Sequence, residues 1–280
     1  MRDTHVSLAS LLLDSSLIIA TNRQGYQIKL VKVGEYYQLY YYNRVKIKKD
    51  NNLEEIKKKI DNDFLIKKDN YIDKPDKKII EEKNINRSKF QFQRLVRANE
   101  DKFKTFITLT FKENITDVKE ANFQFHKWVT IIRRYKKDFL YIGVPEFQKR
   151  GAVHYHLLTN LDIKENHNII IPQKDNKNCY DVKFWSYGFS SVFDVKNINV
   201  VGYMSKYMTK SCDNRLFGHR RFFHSRNLEK PEVFYLDTRK DFDFTLIADL
   251  LSNSNVTYEN SYLDKFGDVI DFIELKKRKE

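Results

Sequence analysis

Apolar positions along the chain follow two rhythms, one helical and one alternating. From Val118 they recur at three- and four-residue steps through Ala121, Phe125, Trp128, Val129, Ile132 and Tyr135, the buried stripe of an amphipathic helix. Thr116 or Asp117, with Glu120 close behind, gives that helix a start, and Arg133, Arg134, Lys136 and Lys137 suit the negative end of its dipole. His126 falls off the stripe and reads as a surface histidine. Before this helix, Lys104 to Phe111 is β-branched and aromatic throughout, which predicts a strand. Near the N-terminus, Tyr26 to Val33 and Tyr36 to Tyr42 flank Gly34-Glu35, as two strands would flank a type II′ turn. The tyrosines at 36, 37, 40, 41 and 42 suit a sheet surface more readily than a base-stacking platform.

The most informative alternation is Ala152-Val153-His154-Tyr155-His156-Leu157-Leu158. On a strand the two histidines share one face, with Val153, Tyr155 and Leu157 on the other. Upstream, Tyr141 to Gln148 runs into Lys149-Arg150-Gly151, a loop whose final glycine suits a left-handed turn residue. A three-residue loop centred on Arg150 pairs Gln148 with Ala152 and Glu146 with His154, so Glu146 joins the histidine face. A two-residue loop would turn Glu146 away.

Between residues 44 and 86 lysine mixes with Asp, Glu and Asn. Leu53, Ile56, Ile60 and Phe64 keep helical spacing, which fades after Pro75 into a linker. Residues 87 to 97 are basic enough to meet phosphate, and their secondary structure is open. Strand, helix and hairpin in that order predict an α+β fold, a mainly antiparallel central sheet with flanking helices. The expected organisation is an N-terminal accessory region and linker (1–86), a central domain (87–235) and a C-terminal extension with a basic tail (236–280).

Charge points to the partner. Fifty-one Lys and Arg against 38 Asp and Glu leave +13, which favours a polyanion. No apolar run approaches the ~20 residues that span a bilayer, and Asp14, Ser15 and Ser16 break the Leu11 to Ala20 stretch, which argues against a signal peptide and for nucleic acid over membrane. Cys179 and Cys212 give neither a disulfide framework nor zinc spacing, as expected of a reducing cytoplasm, here a bacterial host cell's.

A last constellation lies at Val200 to Lys210, where Tyr-x-x-Lys occurs twice in succession. On a helix Tyr203 and Tyr207 lie one turn apart on one face, separated by about 6 Å of rise, with Lys206 and Lys210 beside them. The same pattern also fits an amphipathic helix with core tyrosines. Arg220, Arg221 and Arg226, with Phe222 and Phe223 between them, suit either a track for single-stranded DNA or a solvated basic loop over a buried Phe pair. His219 and His224 read as surface or core residues rather than ligands.

Taken together, Phe106 to Phe111, His154-Tyr155-His156 with Glu146, and the Tyr203 to Lys210 segment resemble the motifs of the HUH endonucleases, the rolling-circle replication initiators of phages and plasmids. The paired tyrosines are most similar to the two-tyrosine phage type. Tyr155 departs from the bulky aliphatic expected between the histidines. The resemblance covers roughly residues 87 to 235. It implies that His154, His156 and Glu146 hold Mg²⁺ or Mn²⁺, and that a tyrosine attacks single-stranded origin DNA with lysine assistance. The products would be a 5′-phosphotyrosine and a free 3′-OH, and a second transfer would rejoin the strand. Arg150, Arg220, Arg221 and Arg226 are the expected DNA contacts. The chain has no phosphate-binding G-x-x-x-x-G-K-[ST] loop, so unwinding is expected from a host helicase and synthesis from a host polymerase. A relaxase, a single-strand transposase or a non-catalytic DNA-binding module would carry similar features.

Overall fold

The computed structural model describes residues 25–47, 77–173, 179–196, 199–210, 213–216, 218–237, 241–264 and 267–278. Its elements begin with β1 (Gly25–Val33), β2 (Tyr36–Ile47), α1 (Lys77–Arg97), β3 (Thr105–Phe111), α2 (Val118–Tyr135), β4 (Tyr141–Phe147) and β5 (Val153–Thr159). They continue with β6 (Ile170–Pro172), β7 (Tyr180–Val182), β8 (Gly188–Asp194), α3 (Val200–Lys210), β9 (Phe223–His224), β10 (Glu232–Leu236), α4 (Asp241–Ser252), β11 (Ser254–Leu263) and β12 (Val269–Lys277). The fold is α+β, with two sheets in which every pair is antiparallel. Two compact units result, one of residues 75–230 and one of 1–74 with 231–280.

The first unit holds a sheet of order β6-β7-β8-β3-β5-β4-β9. One face is apolar because period-2 alternation sends Ile107, Leu109 and Phe111 of β3, and Val153, Tyr155 and Leu157 of β5, to the same side. Helix α2 covers that face with Val118, Ala121, Phe125, Trp128, Val129 and Ile132. Asp117 is its N-cap, accepting from the Lys119 N–H at 2.8 Å. Phe125 stacks on Tyr155 at 4.6 Å, and the Tyr155 hydroxyl donates to Asn122 at 2.7 Å. The aromatic between the two histidines is therefore a core residue with its polar end satisfied. Tyr135 departs from the expected stripe: it is 51% exposed, with its ring stacked on Phe184.

On the opposite face Phe106, Ile142, Val144 and Leu158 meet Phe92, Leu95 and Val96 of α1 and Val200 and Met204 of α3. The linker expected up to residue 86 ends sooner than that, because α1 starts at Lys77 and is anchored at its far end by Phe92 and Val96, both fully buried.

The second unit is a sheet of order β10-β1-β2-β12-β11, with Ile247 of α4 packed among Ile28, Leu30, Leu39, Leu236, Ile273 and Leu275. The β1–β2 turn is as expected, with Gly34 at φ 57° and Val33 paired to Tyr36. The expected separation of an N-terminal accessory region from a C-terminal extension is not what forms. β12 pairs with β2 from Ile270↔Tyr42 to Lys276↔Tyr36, so both ends of the chain build one sheet. Tyr37 and Tyr41 pack against its apolar cluster, the sheet-surface role expected of them. The helix expected around Leu53 to Phe64 and the Leu11 to Ala20 run lie outside the described residues. No helix of the described residues is long and apolar enough to cross a membrane.

Candidate metal and tyrosine site

The hairpin loop sets the site. Gly151 takes φ 92°, its N–H donates to the Gln148 carbonyl at 2.8 Å, and the Gln148 N–H donates to the Ala152 carbonyl at 2.8 Å. Three residues thus close the loop, and Glu146 pairs with His154. Because the side-chain period is two, this parity brings Glu146, His154 and His156 to one face. Glu146 Oε2 lies 2.9 Å from His156 Nε2 and 3.4 Å from His154 Nε2. Their potential ligand atoms all fall within 4.8 Å of one another, and among the described residues this is the one such group.

The three side chains are only 12%, 15% and 7% exposed, so the carboxylate has lost most of its water and needs positive charge or donors beside it. Two imidazole nitrogens and one carboxylate oxygen fit a divalent cation with coordination positions left for other ligands. Thr108 Oγ1 lies 3.2 Å from His156 Nδ1, which directs Nε2 toward Glu146.

Helix α3 brings the tyrosines to this face. Asn199 caps it, its side-chain oxygen accepting from the Gly202 N–H at 2.9 Å and its carbonyl from the Tyr203 N–H at 2.9 Å. The Tyr207 ring lies 3.9 Å from the His156 ring, and the Tyr207 hydroxyl donates to that of Tyr203 at 3.1 Å. Phe106 touches all three rings, at 5.5 Å from His156, 4.9 Å from Tyr203 and 5.6 Å from Tyr207. Burial, the hydrogen bond to Tyr203 and the charge of Glu146 all raise the Tyr207 pKa above the ordinary tyrosine value. Tyr207 therefore stays protonated unless positive charge arrives. Lys206 is exposed beside the pair, and Lys210 closes α3.

The structure thus brings together Glu146, His154, His156, Tyr203 and Tyr207. Phe106 and Thr108 also belong to the site, although the sequence marks them only as part of a strand. The signal was their spacing, since 106, 108 and 110 alternate onto the histidine face. Arg150, an expected DNA contact, braces the hairpin instead. Its guanidinium donates to the carbonyls of Phe111 and Lys112 (3.2 Å) and to Gln148 Oε1 (2.9 Å). Arg220 and Arg226 are exposed, whereas Arg221 is buried. Phe223 is in the core and Phe222 packs on Phe92 at 5.5 Å, so the Phe pair is built into the protein rather than offered to bases. His219 and His224 lie outside the ligand group, and His224 Nδ1 is 2.9 Å from the Ser225 carbonyl oxygen.

A family model for replication-associated proteins of the ORF2 type matches residues 104–212, the stretch from β3 through α3. The Phasyl DNA replicon protein arp of Escherichia coli is 33% identical over 129 residues, covering 39% of this chain and 44% of its own length. The chain thus spans less than half of that relative. No solved structure matches. Both matches bear out the resemblance to Rep-like replication initiators and support a role in starting DNA replication.

Proposed function

We propose that the chain starts rolling-circle replication by nicking single-stranded origin DNA at the Glu146–His154–His156 site, with Tyr203 and Tyr207 as nucleophiles. The observation that carries this reading is the shared face: the Tyr207 ring lies 3.9 Å from the His156 ring beside a carboxylate and two imidazoles. A phenolic oxygen attacks phosphorus and forms an O–P bond. The P–O3′ bond breaks, leaving a 5′-phosphotyrosine and a 3′-oxygen that takes up a proton. Mg²⁺ or Mn²⁺ bound by His154, His156 and Glu146 would withdraw negative charge from the phosphate oxygens.

The chain's own groups do the rest. Thr108 holds the His156 ring, and Phe106 wedges the two phenols against it. The hydrogen bond from Tyr207 to Tyr203 favours charge on the Tyr203 oxygen, and Lys206 offsets charge as it develops. Either phenol can then accept the strand in a second transfer that rejoins it. The 3′-OH would prime a host polymerase, with unwinding by a host helicase.

Oligonucleotides tiling the replicon origin, labelled 3′ of each candidate nick and incubated with protein and Mn²⁺, test this. A labelled band that migrates with the protein on a denaturing gel is the expected result. Binding without any such band would leave a non-catalytic DNA-binding module.

A further inference from the structure

The sheet face that carries the histidines extends past them, across β3 and onto β8, and there it presents two phenylalanines to solvent. Phe189 is 67% exposed and Phe193 54% exposed. Their direction is fixed by what lies between them. Val192 is buried in the α2-side core, and the Ser190 hydroxyl accepts from the Val182 N–H at 3.0 Å, so residues 189, 191 and 193 must face the other way.

Register places both rings relative to the site. Phe189 pairs with Thr110, Thr110 with His154, and His154 with Glu146, which makes one row across four strands. Ser191, Thr108 and His156 form the next row, and Phe193 and Phe106 begin a third. Two strand spacings put Phe189 about 10 Å from His154, and four residues of strand put it about 13 Å from Phe193. Phe193 also lines a cleft of about 280 Å³ with Phe106, Asp194, Val195, Val200 and Tyr203.

Single exposed apolar residues need no explanation, but two aromatics on one strand face, in rows that lead to a candidate site, do. Among the described residues the cleft lining holds a carboxylate and no cation, so it suits a base rather than a phosphate. Ser191, Thr108 and Thr110 are short and polar, which leaves room for a sugar–phosphate backbone between the rings and the site. Lys112 and Lys196, exposed just beyond the ends of β3 and β8, supply charge for phosphates, in line with the net +13 of the chain.

We infer that Phe189 and Phe193 form a stacking platform for bases of a single DNA strand, with the base on Phe193 reaching the cleft beside Tyr203. The assignment rests on the proposed nicking site and names how its substrate strand is held. Stacking on a phenyl face is tolerant of base identity, so the platform positions the strand and leaves the choice of sequence to other contacts.

Fluorescence anisotropy with the full chain in EDTA, where cleavage is prevented, tests it. The probes are a labelled dT20 and an abasic sugar–phosphate oligomer of the same length, at one fixed salt concentration. Phe189→Ala and Phe193→Ala should each weaken dT20 binding on the order of 10-fold, as loss of one base–aromatic stack does. Phe→Tyr at either position should restore it, and abasic-oligomer binding should not change. Unchanged dT20 affinity in the double Ala variant, or an equal loss on the abasic oligomer, overturns the platform. Base-dependent loss in a protein that forms no phosphotyrosine would keep the platform and sink the nicking site. Normal dT20 binding by Ala variants of a protein that does form the adduct would do the reverse.

Discussion

The hydroxyl of Tyr207 donates to that of Tyr203 across 3.1 Å, one turn apart on α3. The two phenols are therefore chemically coupled, and neither is an isolated nucleophile. Removing a hydrogen-bond donor from a developing anion typically costs roughly 10²–10³-fold in rate. Tyr203→Phe and Tyr207→Phe should each leave folding nearly unchanged and lower strand transfer by about that much, more than they lower initial cleavage. The double substitution should form no adduct. Gel assays of cleavage and rejoining with each variant check it, and a single variant that completes both transfers at the normal rate would mark the missing tyrosine as structural.

The hairpin parity gives a second expectation. Deleting Lys149 leaves a two-residue loop, shifts β4 by one register step and carries Glu146 to the opposite face. Mn²⁺ affinity measured by calorimetry should fall by at least the roughly 10- to 100-fold that a change outside the ligand set costs, and re-inserting one Gly should restore it. Unchanged Mn²⁺ binding by a folded deletion variant would contradict the register account.

Much of this arrangement was legible because it is local. His-x-His has the period of a strand, Gly151 closes the loop that fixes Glu146, and Tyr203 and Tyr207 lie one helical turn apart. What was not legible depends on pairings between distant segments. Thr108 reaches His156 only because β3 pairs with β5, and Arg150 braces the hairpin only because the end of β3 offers it carbonyls. Likewise, nothing in the tyrosine-rich Tyr36 to Tyr42 run says that its partner strand lies at the other end of the chain. Helix α1 escaped because its early turns carry charge rather than a clear apolar stripe.

Thr108 supplies a third test. Thr108→Val keeps the shape but removes the oxygen 3.2 Å from His156 Nδ1. Mn²⁺ affinity should drop about 10- to 100-fold, with Thr108→Ser close to the parent. Equal affinities for Val and Ser would show that the hydroxyl does not orient the ring.

His126 carries a pH dependence unconnected with catalysis. Burial, and then the charges of Arg220 and Arg133, lower its pKa from the ordinary 6.5. Below pH 6.5 the unfolded chain therefore binds a proton that the folded chain does not, so this contribution is full above 6.5 and is lost as pH falls through the folded pKa. The melting temperature should decline over that acidic window, and less so in His126→Gln. An NMR titration giving His126 a pKa at or above 6.5 would contradict this.

The central claim is that a phenol of α3, beside two histidines and a carboxylate, becomes bonded to DNA. Mass spectrometry of the peptide carrying the DNA, after proteolysis of an adduct formed on origin DNA with Mn²⁺, tests that most directly. The account predicts a 5′-phosphate ester on Tyr203 or Tyr207 and no adduct from His154→Ala, whose salt-sensitive DNA binding should persist. An ester on any other residue, or an undiminished adduct from His154→Ala, would contradict it.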